Sequence, residues 1–218
     1  MDFLSTISMK ISRDNTSIIL FFIFHLIGAL GLLSSYQSLF LTLTPVHLLF
    51  SFLILLWANK DYSFAFFKTV VILYFIGFFV EVIGVQTGLL FGHYSYGKVL
   101  GFQLFDTPLL IGINWIILCL SAYAVISYFN LKPLPKIILS SLILVLLDVL
   151  IEPVAITLDF WQWAAIDIPI QNYIMWFLVA SLMNWIIHLN SLTINYKVGF
   201  GLFLSQIFWH SHYKINRW

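Results

Sequence analysis

From Lys136 to Pro153 the chain reads KIILSSLILVLLDVLIEP. A run this apolar, continuing to about Leu158, is a membrane-spanning helix by length and composition. It nevertheless holds two carboxyl groups, Asp148 and Glu152. Four residues apart, they share one helix face. Pro153 follows directly, cannot donate to the carbonyl of Val149, and predicts a kink beside Glu152. In front, Lys132-Pro-Leu-Pro-Lys136 is a turn, because proline cannot continue a helix.

The rest of the chain agrees with this segment. Of 218 residues, 61% are hydrophobic and 9% charged, and the mean hydropathy is +1.01. Soluble chains carry about 25% charged residues, so lipid is the solvent for most of this protein. The sequence predicts an all-α, polytopic helix bundle, with residues 1–218 as one integral membrane domain. Spans are expected at about 16–33, 39–58, 63–91, 107–129, 137–158 and 168–188. The apolar segment 198–209 is short for a crossing and reads as re-entrant or interfacial, with a seventh span as the alternative. On the six-span reading Lys10, Arg13, Lys60, Lys68, Lys132, Lys136, Lys197, Lys214 and Arg217 fall on one side and only Lys98 on the other. The positive-inside rule then puts both termini in the cytoplasm and the protein in the cell (inner) membrane.

Ionisable groups inside hydrocarbon are functional candidates, because placing charge there is costly. Three carboxyls lie deep in expected spans: Glu81 in the third, and Asp148 and Glu152 in the fifth. Asn114 and Asn172, early in the fourth and sixth spans, fall at a similar depth, and His93, Tyr94 and Tyr96 lie just outside. The competing structural reading is that such groups pair with one another and hold helices together. Gly77, Gly84, Gly88 and Gly92 read mainly as close helix packing, and Trp161, Trp163 and Trp176 mainly as an interfacial aromatic belt.

Several chemistries are excluded. A net charge of +1 gives no polyanion signal, hence no nucleic acid partner. One cysteine, Cys119, allows neither an intramolecular disulfide nor a cysteine-ligated cluster. The six histidines are scattered, with His210 and His212 the only tight pair, and form none of the repeated boxes of membrane di-iron enzymes. No dinucleotide fingerprint, P-loop or zinc-protease motif occurs, and Gly199-Phe-Gly201 lacks the context of a nucleotide loop. Acid–base chemistry without metal or cofactor, on something that dissolves in lipid, is what remains.

The block Glu81-Val-Ile-Gly84-Val-Gln-Thr87-Gly88-Leu-Leu-Phe91-Gly92-His93-Tyr94-Ser-Tyr96 resembles the signature of the carotenoid biosynthesis protein family. The resemblance continues through Leu100-Gly101 and Pro108 to Trp115, then Asp148-Val-Leu-Ile-Glu152-Pro153-Val154, Trp161-Gln-Trp163 and Ile168-Pro169-Ile-Gln-Asn172-Tyr173. It covers about residues 70–177. Glu152 stands where the family has an aspartate, and Met175 where a glycine is common. The resemblance implies a carotenoid 1',2'-hydratase, a hydro-lyase adding water across the terminal C1'=C2' bond of an acyclic carotenoid end to give a tertiary alcohol. Lycopene, γ-carotene or a C50 relative would be the substrate, in contact with membrane lipids and other enzymes of the pathway.

That chemistry needs an acid to protonate C2', tolerance of a cation at C1', and one directed water. A carboxyl surrounded by hydrocarbon keeps its proton near neutrality, since desolvation disfavours the charged form. The expected roles are Asp148 as proton donor and Glu81 or Glu152 as ionised partner. Asn114, Asn172 and Tyr94, with Tyr96, His93, Trp115 and Trp163, would position substrate and water. Two alternatives stay open on sequence: an end-group cyclase starting from the same protonation, and a non-catalytic carotenoid-binding or transport protein.

Overall fold

The computed structural model describes residues 12–59, 61–192 and 195–215. Lys10, Lys60 and Arg217, used above for orientation, lie outside the described residues, as do the side chains of His210, His212 and Lys214. The fold is all-α: α1 (Arg13–Leu33), α2 (Gln37–Thr42), α3 (Thr44–Ala58), α4 (Phe64–Thr87), α5 (Leu110–Ser127), α6 (Pro133–Thr157), α7 (Ile170–Leu189) and α8 (Tyr196–Ile215). Helices α1, α4, α5, α6 and α7 are long and apolar enough to cross a membrane. Their caps follow local chemistry: the Ser12 and Ser63 hydroxyls accept from the backbone N–H groups of Asn15 and Phe66, at 3.2 and 3.1 Å.

At the centre stands α5. Of its apolar stretch 72% is buried inside protein, against 33–44% for the other four long helices. Two glycines set its distance from α4. A Cβ at Gly77 would lie 2.8 Å from the Cβ of Trp115, and one at Gly112 would lie 2.7 Å from the carbonyl oxygen of Tyr74. Small residues at such a crossing let two backbones approach.

Three of the expected elements change. The 39–58 span is divided at Leu43 into α2 and α3, where Pro45 occupies the first turn of α3 and withholds the N–H that would continue α2. The 63–91 span stops at Thr87, because Gly88 is left-handed at φ +66°. Gly88 and Gly92 (φ +103°) therefore reverse the chain, while Gly77 and Gly84 do the packing. The 198–209 segment is part of a 20-residue helix, α8, packed against α1 and α5. A Cβ at Gly199 would lie 2.5 Å from that of Ala124 on α5, and one at Gly201 would lie 2.9 Å from Ile18 on α1. Burial against protein explains how a helix of modest hydropathy belongs to the bundle. The 137–158 span keeps its expected end: α6 is helical through Pro153 as far as Thr157.

Two small antiparallel sheets join the loops. β2 (Gln103–Leu104) and β3 (Thr107–Pro108) form a hairpin across Phe105 and Asp106, both at positive φ, as a tight two-residue turn requires. β1 (Tyr94–Tyr96), in the loop after α4, pairs with β4 (Trp161–Trp163), in the loop after α6. This second sheet ties together loops far apart in sequence, and it builds the site.

Candidate functional site

Side chains alternate along a strand, so Tyr94 and Tyr96 face one way and Ser95 the other. Opposite them Trp163 and Trp161 flank Gln162, in the register Tyr94↔Trp163 and Tyr96↔Trp161. One face of the β1–β4 sheet thus carries four aromatic residues with polar tips. All four tips reach buried carboxyl groups.

The phenols of Tyr94 and Tyr96 donate to Glu81 Oε2 at 2.5 and 2.8 Å, and the Trp115 indole N–H donates to Glu81 Oε1 at 2.8 Å. Trp161 and Trp163 each donate an indole N–H to Glu152 Oε2 at 3.0 Å. The Asn172 amide bridges the remaining groups, donating to Asp148 Oδ2 at 2.8 Å and to Glu152 Oε1 at 3.4 Å. All three acids and Asn172 are buried. Burial and the neighbouring Glu81 charge hold the Tyr94 and Tyr96 phenols well above the usual tyrosine range, so both remain donors.

This pattern limits where a proton can sit. An indole N–H donates only. Two of them fix Glu152 Oε2 as an acceptor, so a proton on Glu152 belongs on Oε1, which is held only by the longer Asn172 contact at 3.4 Å. By the same logic Asn172 fixes Asp148 Oδ2, leaving Oδ1, a buried oxygen with no hydrogen-bond partner. Glu81 accepts three bonds of 2.8 Å or less on its two oxygens, and protonating either would displace a well-placed donor. The geometry suits an ionised Glu81 and a proton carried by the Asp148–Glu152 pair.

Between the carboxyl groups of Glu81 and Glu152 lies a small cavity, the polar cavity, of about 30 Å³, walled also by Phe91, Tyr94, Tyr96, Ile111, Asn114, Trp161, Trp163, Asn172 and Trp176. That is room for about one water, with the carboxyl and amide groups among these walls as its polar partners. Beside it is an apolar cavity of about 320 Å³ among α1, α3, α5 and α6. The two share four wall residues: Ile111, Asn114, Trp161 and Trp176.

Most residues expected from sequence come together here, with two corrections. Asp148 lines neither cavity and stands behind Asn172, so Glu152 is the member of the pair that faces open space. His93 is exposed, its ring packed over Gly88, and lies away from the acids because it precedes the strand that turns Tyr94 inward. Trp115 reaches Glu81 without lining either cavity. Trp161 and Trp176, expected mainly in an aromatic belt, are cavity walls; Trp176 packs on Trp115 with ring centroids 4.5 Å apart. The signal available for Trp161 was its spacing of two from Trp163, which gives both the same face of a strand. Among the described residues no group of three His, Cys, Asp or Glu is arranged to hold a metal ion.

Comparison with known proteins bears on this cluster. The bisanhydrobacterioruberin hydratase of Haloarcula japonica is 29% identical to the chain over 177 residues, 73% of this chain and 60% of the relative. The chain therefore spans about 60% of that protein's length. No solved structure matches. Residues 41–198 match a family described as carotenoid biosynthesis protein, and this range contains Glu81, Asp148, Glu152, Asn172 and the strands that join them. The chain belongs to the carotenoid biosynthesis protein family.

Proposed function

We propose that this protein hydrates the terminal C1'=C2' bond of an acyclic carotenoid end group. The observation that carries the reading is a water-sized cavity between two carboxyl groups, sharing a wall with an apolar cavity about ten times larger. A cyclase needs the acid and the apolar space, but no place for water beside them. The named activity of the Haloarcula relative, a hydratase, agrees.

In the proposed reaction Glu152 Oε1 delivers its proton to C2', whose π electrons form the new C–H bond and leave a tertiary cation at C1'. Ionised Glu81 and the faces of Trp161, Trp163 and Trp176 stabilise that cation electrostatically. Water held by Asn114 bonds through its oxygen to C1', and its surplus proton returns to Glu152. The sum is one water added, with the acid restored. Asp148, linked to Glu152 through Asn172, acts as its partner, since two carboxyls in one low-dielectric site resist joint ionisation.

Expression in cells accumulating lycopene or γ-carotene, followed by mass spectrometry of the pigments, tests the reading. The expected product is heavier by one water with an unchanged chromophore. An isomer of unchanged mass would replace hydration by cyclisation.

A further inference from the structure

We infer that the reacting end of the substrate enters sideways from the bilayer, through a cleft between α1 and α3, and lies in the apolar cavity with its tip at Asn114. This rests on the proposed hydration only for the identity of the occupant, an acyclic isoprenoid end whose remaining polyene stays in lipid.

Ile27 on α1 and Val46 and Phe50 on α3 line the cavity, yet are 51, 46 and 45% exposed. They belong both to the lipid-facing surface and to the cavity; Phe24 of α1 stacks on Phe50 of α3 with ring centroids 5.4 Å apart, so the mouth between these two helices lies beside that stack, at Ile27 and Val46. Gly28, beside Ile27, is also part of the wall. It presents no side chain where a bulky one would narrow the passage. At the inner end, Ile111, Asn114, Trp161 and Trp176 are walls of both cavities, so this space adjoins the acids there.

The opposite approach, from the aqueous side, is roofed. There the β1–β4 sheet covers the acids, and its four aromatic tips are engaged with Glu81 and Glu152. A hydrocarbon arriving by that route would have to break those bonds and leave lipid first. Sideways entry requires neither. The substrate tip then reaches Asn114 and Glu152 from the apolar side, where it meets the water of the polar cavity.

The test fills the mouth. Gly28→Trp and, on the facing helix, Val46→Trp are compared with Leu182→Trp, on the lipid-facing surface of α7 and outside both cavities. Each protein is purified in detergent from lycopene-accumulating cells, checked for a monodisperse elution profile, and assayed for retained pigment and for product. At least one mouth variant that elutes as the wild type should lose ten-fold or more of both, while Leu182→Trp loses neither. Wild-type retention and product in both mouth variants would overturn the portal. So would equal loss in all three, including loss caused by misfolding of every variant, because the effect would then not be specific to the mouth. Loss of pigment retention in the mouth variants, from a wild type that yields no heavier product, would support the portal and refute the hydration reading.

Discussion

Glu152 and Asp148 differ in what each oxygen can still do. Glu152 lines the polar cavity, with one oxygen committed to two indoles and the other held only by a longer contact from Asn172, while Asp148 meets that cavity only through Asn172. Glu152→Gln should therefore reduce product by at least about 100-fold, the usual minimum for removing a general acid, with the protein still folded. Asp148→Asn should cost less, about ten-fold, because it removes the partner rather than the donor; pigment analysis of the two strains side by side gives the order, and an equal or reversed order would return Asp148 to the donor role. Among the described residues, the indole of Trp115 is the sole donor to Glu81 Oε1. Trp115→Phe leaves that buried oxygen unsatisfied, at a cost of about 1–3 kcal/mol. Thermal unfolding in detergent should show this as an earlier transition, in addition to any loss of packing against Trp176.

At the scale of elements, the site depends on how closely α4 and α5 approach and on how the chain leaves α4. Gly112→Ala would drive a methyl group into the backbone oxygen of Tyr74, which cannot rotate away as a side chain could. The helices must then part, and Trp115, on α5, moves off Glu81, on α4. Product should fall several-fold, and near-ultraviolet circular dichroism should report a changed tryptophan environment even where expression is normal. Gly88→Ala places a side chain at φ +66° and against the His93 ring. Left-handed backbone costs a non-glycine residue about 1–2 kcal/mol. An unchanged thermal midpoint in this variant would contradict the strained turn that aims β1 at the acids.

Over the whole molecule, α8 closes the bundle. It packs on α1 and α5, and its glycines seat against Ile18 and Ala124. Ending the chain before Tyr196 should expose the apolar faces of α1 and α5 and deplete the protein from membranes, as quantitative blotting of membrane fractions would show. Normal accumulation and activity of the shortened chain would mean that α8 is an accessory.

How much of this was legible follows from which forces act locally. The amino-acid sequence by itself determined the helical membrane architecture, since hydropathy and length suffice to exclude a soluble fold, and it singled out Glu81, Asp148 and Glu152, since carboxyls in hydrocarbon are costly wherever the helices finally pack. The i, i+4 spacing even placed Asp148 and Glu152 on one face. Tertiary structure alone decided which acid meets open space, because Asn172 comes from another helix and stands in front of Asp148. It also made Trp161, expected only in an aromatic belt, a donor to Glu152 alongside Trp163, through pairing between two loops that no periodicity reveals. α8 became a bundle helix because its surroundings are protein rather than lipid. Sequence names the groups whose burial needs an explanation; only long-range contacts fix what each of them touches.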